Sequence, residues 1–218
     1  MRKIKYGLIG SSGKMGREIE NVFSENGHTC VLKFDIDGEQ KFEAPELLID
    51  FSLPEVLEET IDYIKTYNVP LIIGTTGLSN DQLEILKLLS QKIPVVQSYN
   101  FSIGIQLLLR MIESIKNDVK DWDIEIEETH HRFKKDKPSG TAIMIKNLIG
   151  KEVSISSLRL GNVPGVHTIQ FGSLGEILKI EHQALSRRTF ADGVLMSANF
   201  ILKKQNGFYS FKDVINNK

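Results

Sequence analysis

From the N-terminus to about residue 100, short apolar runs alternate with amphipathic segments. Ile4 to Ile9, Cys30 to Asp35, Leu47 to Phe51 and Val69 to Ile73 read as strands, and Pro94 to Val96 begins a fifth. Between them, Lys14 to Glu25 carries Ile19, Val22 and Phe23 on one helical face and stops at Asn26-Gly27. Pro54 opens a second helix, with Val56, Leu57, Ile61 and Ile64 at helical spacing. Ser79 caps a third, with Leu83, Leu86 and Leu89 inward. Strands that are apolar throughout and separated by helices predict a parallel sheet covered on both faces, a doubly wound, Rossmann-like α/β domain. The segment Asp37 to Glu46 is too short and polar for a full helix, so one crossover is expected to be irregular.

The pattern changes at Ile103. A helical run to about Asp118 places Leu107, Leu108, Met111, Ile112 and Ile115 on the apolar side. Asp123-Ile124-Glu125-Ile126-Glu127 then alternates strictly, predicting a strand with one face in solvent or at an interface. A His-rich loop, a helix from about Ser139 to Leu148, and alternating stretches near His167 to Phe171 and Ile177 to His182 follow. This is the signature of an antiparallel sheet, and so of a second domain of α+β type. Helices around Ala191 to Leu202 and Phe211 to Ile215 complete the chain.

Composition narrows the functional classes. A 218-residue chain that is 41% hydrophobic and 25% charged can bury a real core. A formal net charge of −1 gives no global attraction to nucleic acid or to an anionic membrane, and neither is expected as a partner. The single cysteine, Cys30, excludes an intramolecular disulfide and is read as a buried strand residue. No run approaches the ~20 apolar residues of a membrane span, and Met1 to Tyr6 lacks an apolar signal stretch, so a cytoplasmic location is expected.

Gly10-Ser11-Ser12-Gly13-Lys14-Met15-Gly16 follows the first strand and opens the first helix. Glycines there let the backbone turn tightly and approach a pyrophosphate, whose charge meets N–H groups at the helix N-terminus. The spacing Gly-x-x-Gly-x-x-Gly departs from the commoner Gly-x-Gly-x-x-Gly, so context carries the assignment. An acid at the end of the second strand, ~20 residues on, accepts ribose hydroxyls in such folds. Asp35 stands there, with Asp37 as competitor, and an acid favours NADH over NADPH without deciding between them. Gly74-Thr75-Thr76-Gly77 and Asp50-Phe51-Ser52 lie at later strand ends, where ligands of open α/β sheets bind.

The densest chemistry lies in His130-His131-Arg132-Phe133-Lys134 and Asp136-Lys137-Pro138-Ser139-Gly140-Thr141. Imidazoles titrate near neutral pH, lysine is a tunable proton donor, and Ser-Gly-Thr at a helix start suits an anion. The segment is suited to hold a carboxylate and move a proton. Metal binding is not expected, because adjacent residues on an extended segment point to opposite sides and no Cys or carboxylate cluster completes a set. His167 and His182, remote in sequence, are read as structural.

The run from Glu128 to Ala142 closely resembles the signature of the dihydrodipicolinate reductase family. The likeness extends to Gly10–Gly16, Ile49-Asp50-Phe51-Ser52, Gly74-Thr75-Thr76-Gly77, Asn100 to Gly104 and Ser186-Arg187 before Thr189-Phe190-Ala191. The resemblance implies NADH- or NADPH-dependent reduction of a small cyclic dicarboxylate in the diaminopimelate and lysine pathway. It implies His130 as proton donor and acceptor, Lys134 as proton donor, and His131, Ser139, Gly140 and Thr141 as substrate contacts. It places the cofactor at Gly10, Ser11, Ser12, Gly13, Lys14, Met15, Asp35, Gly74, Thr75, Thr76, Ser98, Tyr99, Asn100 and Phe101. It also implies a discontinuous nucleotide-binding domain (1–102 and 187–218), a substrate and oligomerisation domain (103–186), and a homotetramer. Three departures stand out: Lys14 replaces an arginine, Ile36 lies where some members carry one, and the segment Lys151 to Gly165 is short. Another dicarboxylate or amino-acid dehydrogenase, or a nucleotide-sensing module, are the competing readings.

Overall fold

The structure, a computed structural model, describes residues 2–217, and the chain divides into two compact units, Met1–Phe101 with Arg188–Lys218 and Ser102–Arg187. Unit 1 holds strands β1 (Lys5–Ile9), β2 (Thr29–Asp35), β3 (Gly38–Lys41), β4 (Leu47–Asp50), β5 (Leu71–Ile73), β6 (Pro94–Gln97) and, from the C-terminal segment, β11 (Gly207–Tyr209). They form one sheet in the order β11-β6-β5-β4-β1-β2-β3. All neighbours pair in parallel except β2 and β3.

Alternate residues of the central strands feed two cores. Leu47, Ile49, Ile72 and Val96 face helices α1 (Lys14–Glu25), α6 (Arg188–Ile201) and α7 (Phe211–Asn216), meeting Ile19, Phe23, Val194, Ala198 and Phe211. Leu48, Leu71, Ile73 and Val95 face α2 (Leu57–Tyr67) and α3 (Asn80–Leu89), meeting Leu57, Ile64 and Leu86. A sheet buried on both sides explains why these strands read as unbroken apolar runs. The order reverses between β1 and β4, so the loops after these two strands open at a topological switch point.

Two details differ from the sequence reading. The polar stretch after β2 is a hairpin: β3 pairs antiparallel at the sheet edge, every residue exposed, as suits an edge strand with charged side chains. Pro54 opens a single 3-10 turn, Pro54–Val56, before α2 begins. Ser79 caps α3 as expected, with a reciprocal bond from Gln82. Cys30 is half-buried on β2, and burial pushes its thiol up to about 11.

Unit 2 contains α4 (Ile103–Ile115), β7 (Asp123–His130), α5 (Gly140–Ile149), β8 (Ser154–Arg159), β9 (Gly165–Gly172) and β10 (Ile177–Ala184). The sheet order is β10-β9-β7-β8. It is mixed rather than antiparallel, because β8 returns through α5 and pairs parallel with β7. Ile126, Ile169 and Phe171 pack against Leu108, Ile112, Ala142 and Ile145 of the two helices. His130 closes β7 as a strand residue instead of lying in the loop that follows. No helix among the described residues is long and apolar enough to cross a membrane.

Candidate active site

In unit 1 the chain leaves β1 at Gly10, whose φ of 81° lies in the left-handed region. A Cβ there would sit 2.5 Å from the Phe51 carbonyl oxygen, so the loop after β1 packs directly on the loop after β4. Gly16 is buried against the Gly10 carbonyl and the Ser11 backbone, where no side chain fits. Gly13 is the N-cap of α1 and makes no side-chain cap, leaving the amides of the first turn to an anion. Ser12 N–H donates to Asp35 Oδ2 at 2.5 Å and Ile36 N–H to Oδ1 at 2.8 Å. Burial pushes the Asp35 acid up, but these donors outweigh it and hold the carboxyl below its usual range. The structure thus brings Asp35 to the glycine loop, whereas Asp37 sits in the exposed turn before β3.

Asp50, fully buried at the end of β4, ties neighbouring strand ends together. Its carboxylate accepts from Ser52 N–H (2.9 Å), Ser52 Oγ (2.6 Å), Thr60 Oγ1 (2.8 Å) and Thr75 Oγ1 (2.9 Å). Burial raises its pKa despite these donors. Gly74 lies against the Phe51 ring with no room for a side chain, and Thr76 is half-exposed beyond it. After β6, Ser98 Oγ donates to the Asn100 carbonyl at 2.8 Å, Tyr99 is half-buried, and Phe101 packs between Phe51 and Phe211. The glycine loop, the acid at the next strand end and the uncapped helix are the features a dinucleotide requires, so these residues fit one.

In unit 2 the alternation of β7 sends Glu128 and His130 to the core face, while His131 turns toward Phe133 on the other side. Glu128 is fully buried and both its oxygens are filled. Arg159 donates from Nη2 to Oε1 at 2.9 Å and from Nη1 to Oε2 at 3.0 Å, a bidentate clamp. Ser139 N–H adds a 3.3 Å bond to Oε1, and His130 Nδ1 meets Oε2. Burial pushes the Glu128 carboxyl up, but His130 and Arg159 together bring it down to about 2.

The same arginine reaches the lysine loop, donating to the Asp136 carbonyl at 2.6 Å and the Lys134 carbonyl at 3.3 Å. Lys134 Nζ lies 2.8 Å from Asp136 Oδ1. Ser139 caps α5, and its hydroxyl also pairs with His167 Nε2 at 3.2 Å. Gly140 and Thr141 form the first turn of that helix. His130, Ser139 and the backbone of Lys134 and Asp136 are therefore gathered around Glu128 and Arg159, neither of which the sequence reading placed in the site.

His167 and His182, read as remote, belong to the same neighbourhood. Sheet register pairs Glu128 with His167 and His167 with His182. His167 stacks edge-on to His130 with ring centroids 5.1 Å apart. Burial, then the nearby His130, lowers its pKa to about 3, so the ring is neutral. His182 Nε2 pairs with the α4 N-cap Ser102 at 3.2 Å. No group of three or more His, Cys, Asp or Glu among the described residues is placed to hold a metal ion.

Sequence models of dihydrodipicolinate reductase match both parts: the N-terminus over residues 4–101 and the C-terminus over 104–215. The chain belongs to the dihydrodipicolinate reductase family. A 4-hydroxy-tetrahydrodipicolinate reductase of Thermosipho africanus is 51% identical over 212 residues, 97% of this chain and 98% of that protein. One from Rickettsia rickettsii is 37% identical over 235 residues, again 97% and 98%. The dipicolinate-bound dihydrodipicolinate reductase from Paenisporosarcina sp. TG-14 shares the fold, with a TM-score of 0.71 at 24% identity over 97% of this chain and 99% of that one. The reductase family accounts for the Rossmann-like sheet and the second sheet in one chain.

Proposed function

We propose that this chain catalyses the NADH- or NADPH-dependent reduction of 4-hydroxy-tetrahydrodipicolinate to tetrahydrodipicolinate in lysine and diaminopimelate biosynthesis. The observation that carries this is the 51% identity with the Thermosipho reductase, which spans both units and nearly all of each protein. Gly10 to Met15 would hold the pyrophosphate at the α1 N-terminus, with Asp35 at the ribose. Gly74 to Thr76 and Ser98 to Phe101 would border the rest of the cofactor, whose nicotinamide supplies the hydride when bound.

His130 and Lys134 handle the proton. His131 and the first turn of α5, Gly140 and Thr141, take the substrate carboxylates, as charge at a helix N-terminus favours. The Ser139 hydroxyl and amide are already engaged, so its part is to hold that turn. We assign residues 1–102 and 187–218 to the nucleotide, and 103–186 to the substrate and to assembly. Both helices of unit 2 pack on one sheet face, and the other carries exposed Leu158 and Ile177, which supports self-association, here as a homotetramer.

The test is consumption of NADH or NADPH with substrate made fresh from pyruvate and aspartate semialdehyde. Loss of reduced-nicotinamide absorbance above a heat-killed control is expected. Its absence with both cofactors would sink the assignment.

A further inference from the structure

An ionised carboxylate has no hydrogen to give, so its contact with an imidazole decides which ring nitrogen is protonated. Glu128 meets His130 at Nδ1, which therefore donates, leaving Nε2 as the nitrogen that exchanges a proton. Gly165 lies beside that nitrogen: a Cβ on it would come within 3.1 Å of Nε2. The missing side chain leaves room at the exchanging atom. Behind the ring stands His167, held by Ser139. The charged groups beside His130 are Glu128 on its own strand and Arg159, its register partner on β8, while Lys134 and Asp136 pair with each other on the loop that Arg159 holds.

We propose that Glu128, clamped by Arg159, is a positioning residue that fixes the His130 tautomer, and that Arg159 sets the Lys134 loop in the same frame through its two carbonyl contacts. One guanidinium thereby aligns both proton-handling side chains, the first through Glu128 and the second through the backbone of 134 and 136. The inference rests on the role proposed for His130. A buried ion pair serving only the fold would leave the tautomer and kcat indifferent to its chemistry.

The experiment uses the full chain with ¹⁵N-labelled histidine, the His130 signals being assigned by their loss in His130→Gln. Long-range ¹H–¹⁵N spectra of the unsubstituted protein at about pH 8 are expected to show the Nδ1–H form at His130. The Nε2–H form there would overturn the proposal. In kinetics, Glu128→Gln presents an amide where a carboxylate stood and is expected to lower kcat by ~10²–10⁴-fold, with both KM values within about threefold. Adding Glu128→Gln to His130→Gln should cost almost nothing more, since the two act as a unit.

Undiminished kcat in Glu128→Gln, or losses that multiply in the double variant, would refute the positioning role while His130 stays in the mechanism. Full activity of His130→Gln would remove the underlying reading and this inference with it. Should Glu128→Gln not fold, the tautomer and Arg159→Lys decide. That variant keeps the charge but loses the fork, and a kcat at least about tenfold lower is expected; an unchanged kcat overturns the proposal.

Discussion

Acid should loosen unit 2 through His167. This ring is 2% exposed, accepts or donates only at Nε2, and has Nδ1 buried without a hydrogen-bond partner. Burial and the neighbouring His130 lower its pKa from 6.5 to about 3. The folded state therefore refuses a proton that the unfolded chain accepts. Stability is whole above pH 6.5, falls as the pH drops, and the loss is complete near pH 3. At 1.36 kcal/mol per unit, the loss between pH 7 and pH 4 is about 3 kcal/mol. Glu128, lowered from 4.5 to about 2, acts only in the lower part of this window, where protonating the unfolded carboxylate subtracts further stability. His182 is shifted down by burial and works in the same direction as His167.

The assay follows from the sequence: the single tryptophan, Trp122, packs on the unit 2 core and reports that unit alone. Urea titrations followed by its fluorescence at pH 7 and pH 4 measure the loss. His167→Gln, which keeps a hydrogen-bonding group beside Ser139, should lose about 3 kcal/mol less over the same range. If the two proteins lose equal stability, His167 is not the buried neutral base described.

Lys134→Ala is expected to lower kcat by ~10²–10⁴-fold while NADH still binds, as fluorescence titration would report. Unchanged kcat would take Lys134 out of the mechanism. Asp35→Ala removes the acceptor of the Ser12 amide and the proposed ribose contact, and should raise the KM for NADH by about tenfold. An unaltered KM would move the ribose role to Asp37.

Most of unit 1 was legible because burial on both faces writes continuous apolar runs, and α1 matches its expected bounds, Lys14–Glu25. What escaped were elements with little apolar content. β3 is Gly-Glu-Gln-Lys, β11 has three residues, and β8 reads Ser-Ile-Ser-Ser-Leu-Arg, whose inward positions are Ile155, Ser157 and Arg159. Missing β8 meant missing Arg159, since only the parallel register with β7 puts it opposite His130. Glu128 opens the family signature, and its period-two spacing to His130 is the clue that both share a face. His167 and His182 could not be placed, because they reach the site through antiparallel pairing with residues far along the chain.

Everything proposed for the two units turns on one event, the transfer of a hydride from a reduced nicotinamide onto a cyclic dicarboxylate. The direct measurement is mass spectrometry of the product formed with NADH or NADPH carrying a single deuterium at C4, supplied separately in each of its two stereochemical forms. The reduced product is expected to gain one deuterium from one form of a given cofactor and none from the other. An unlabelled product with every form, or none at all, would contradict it.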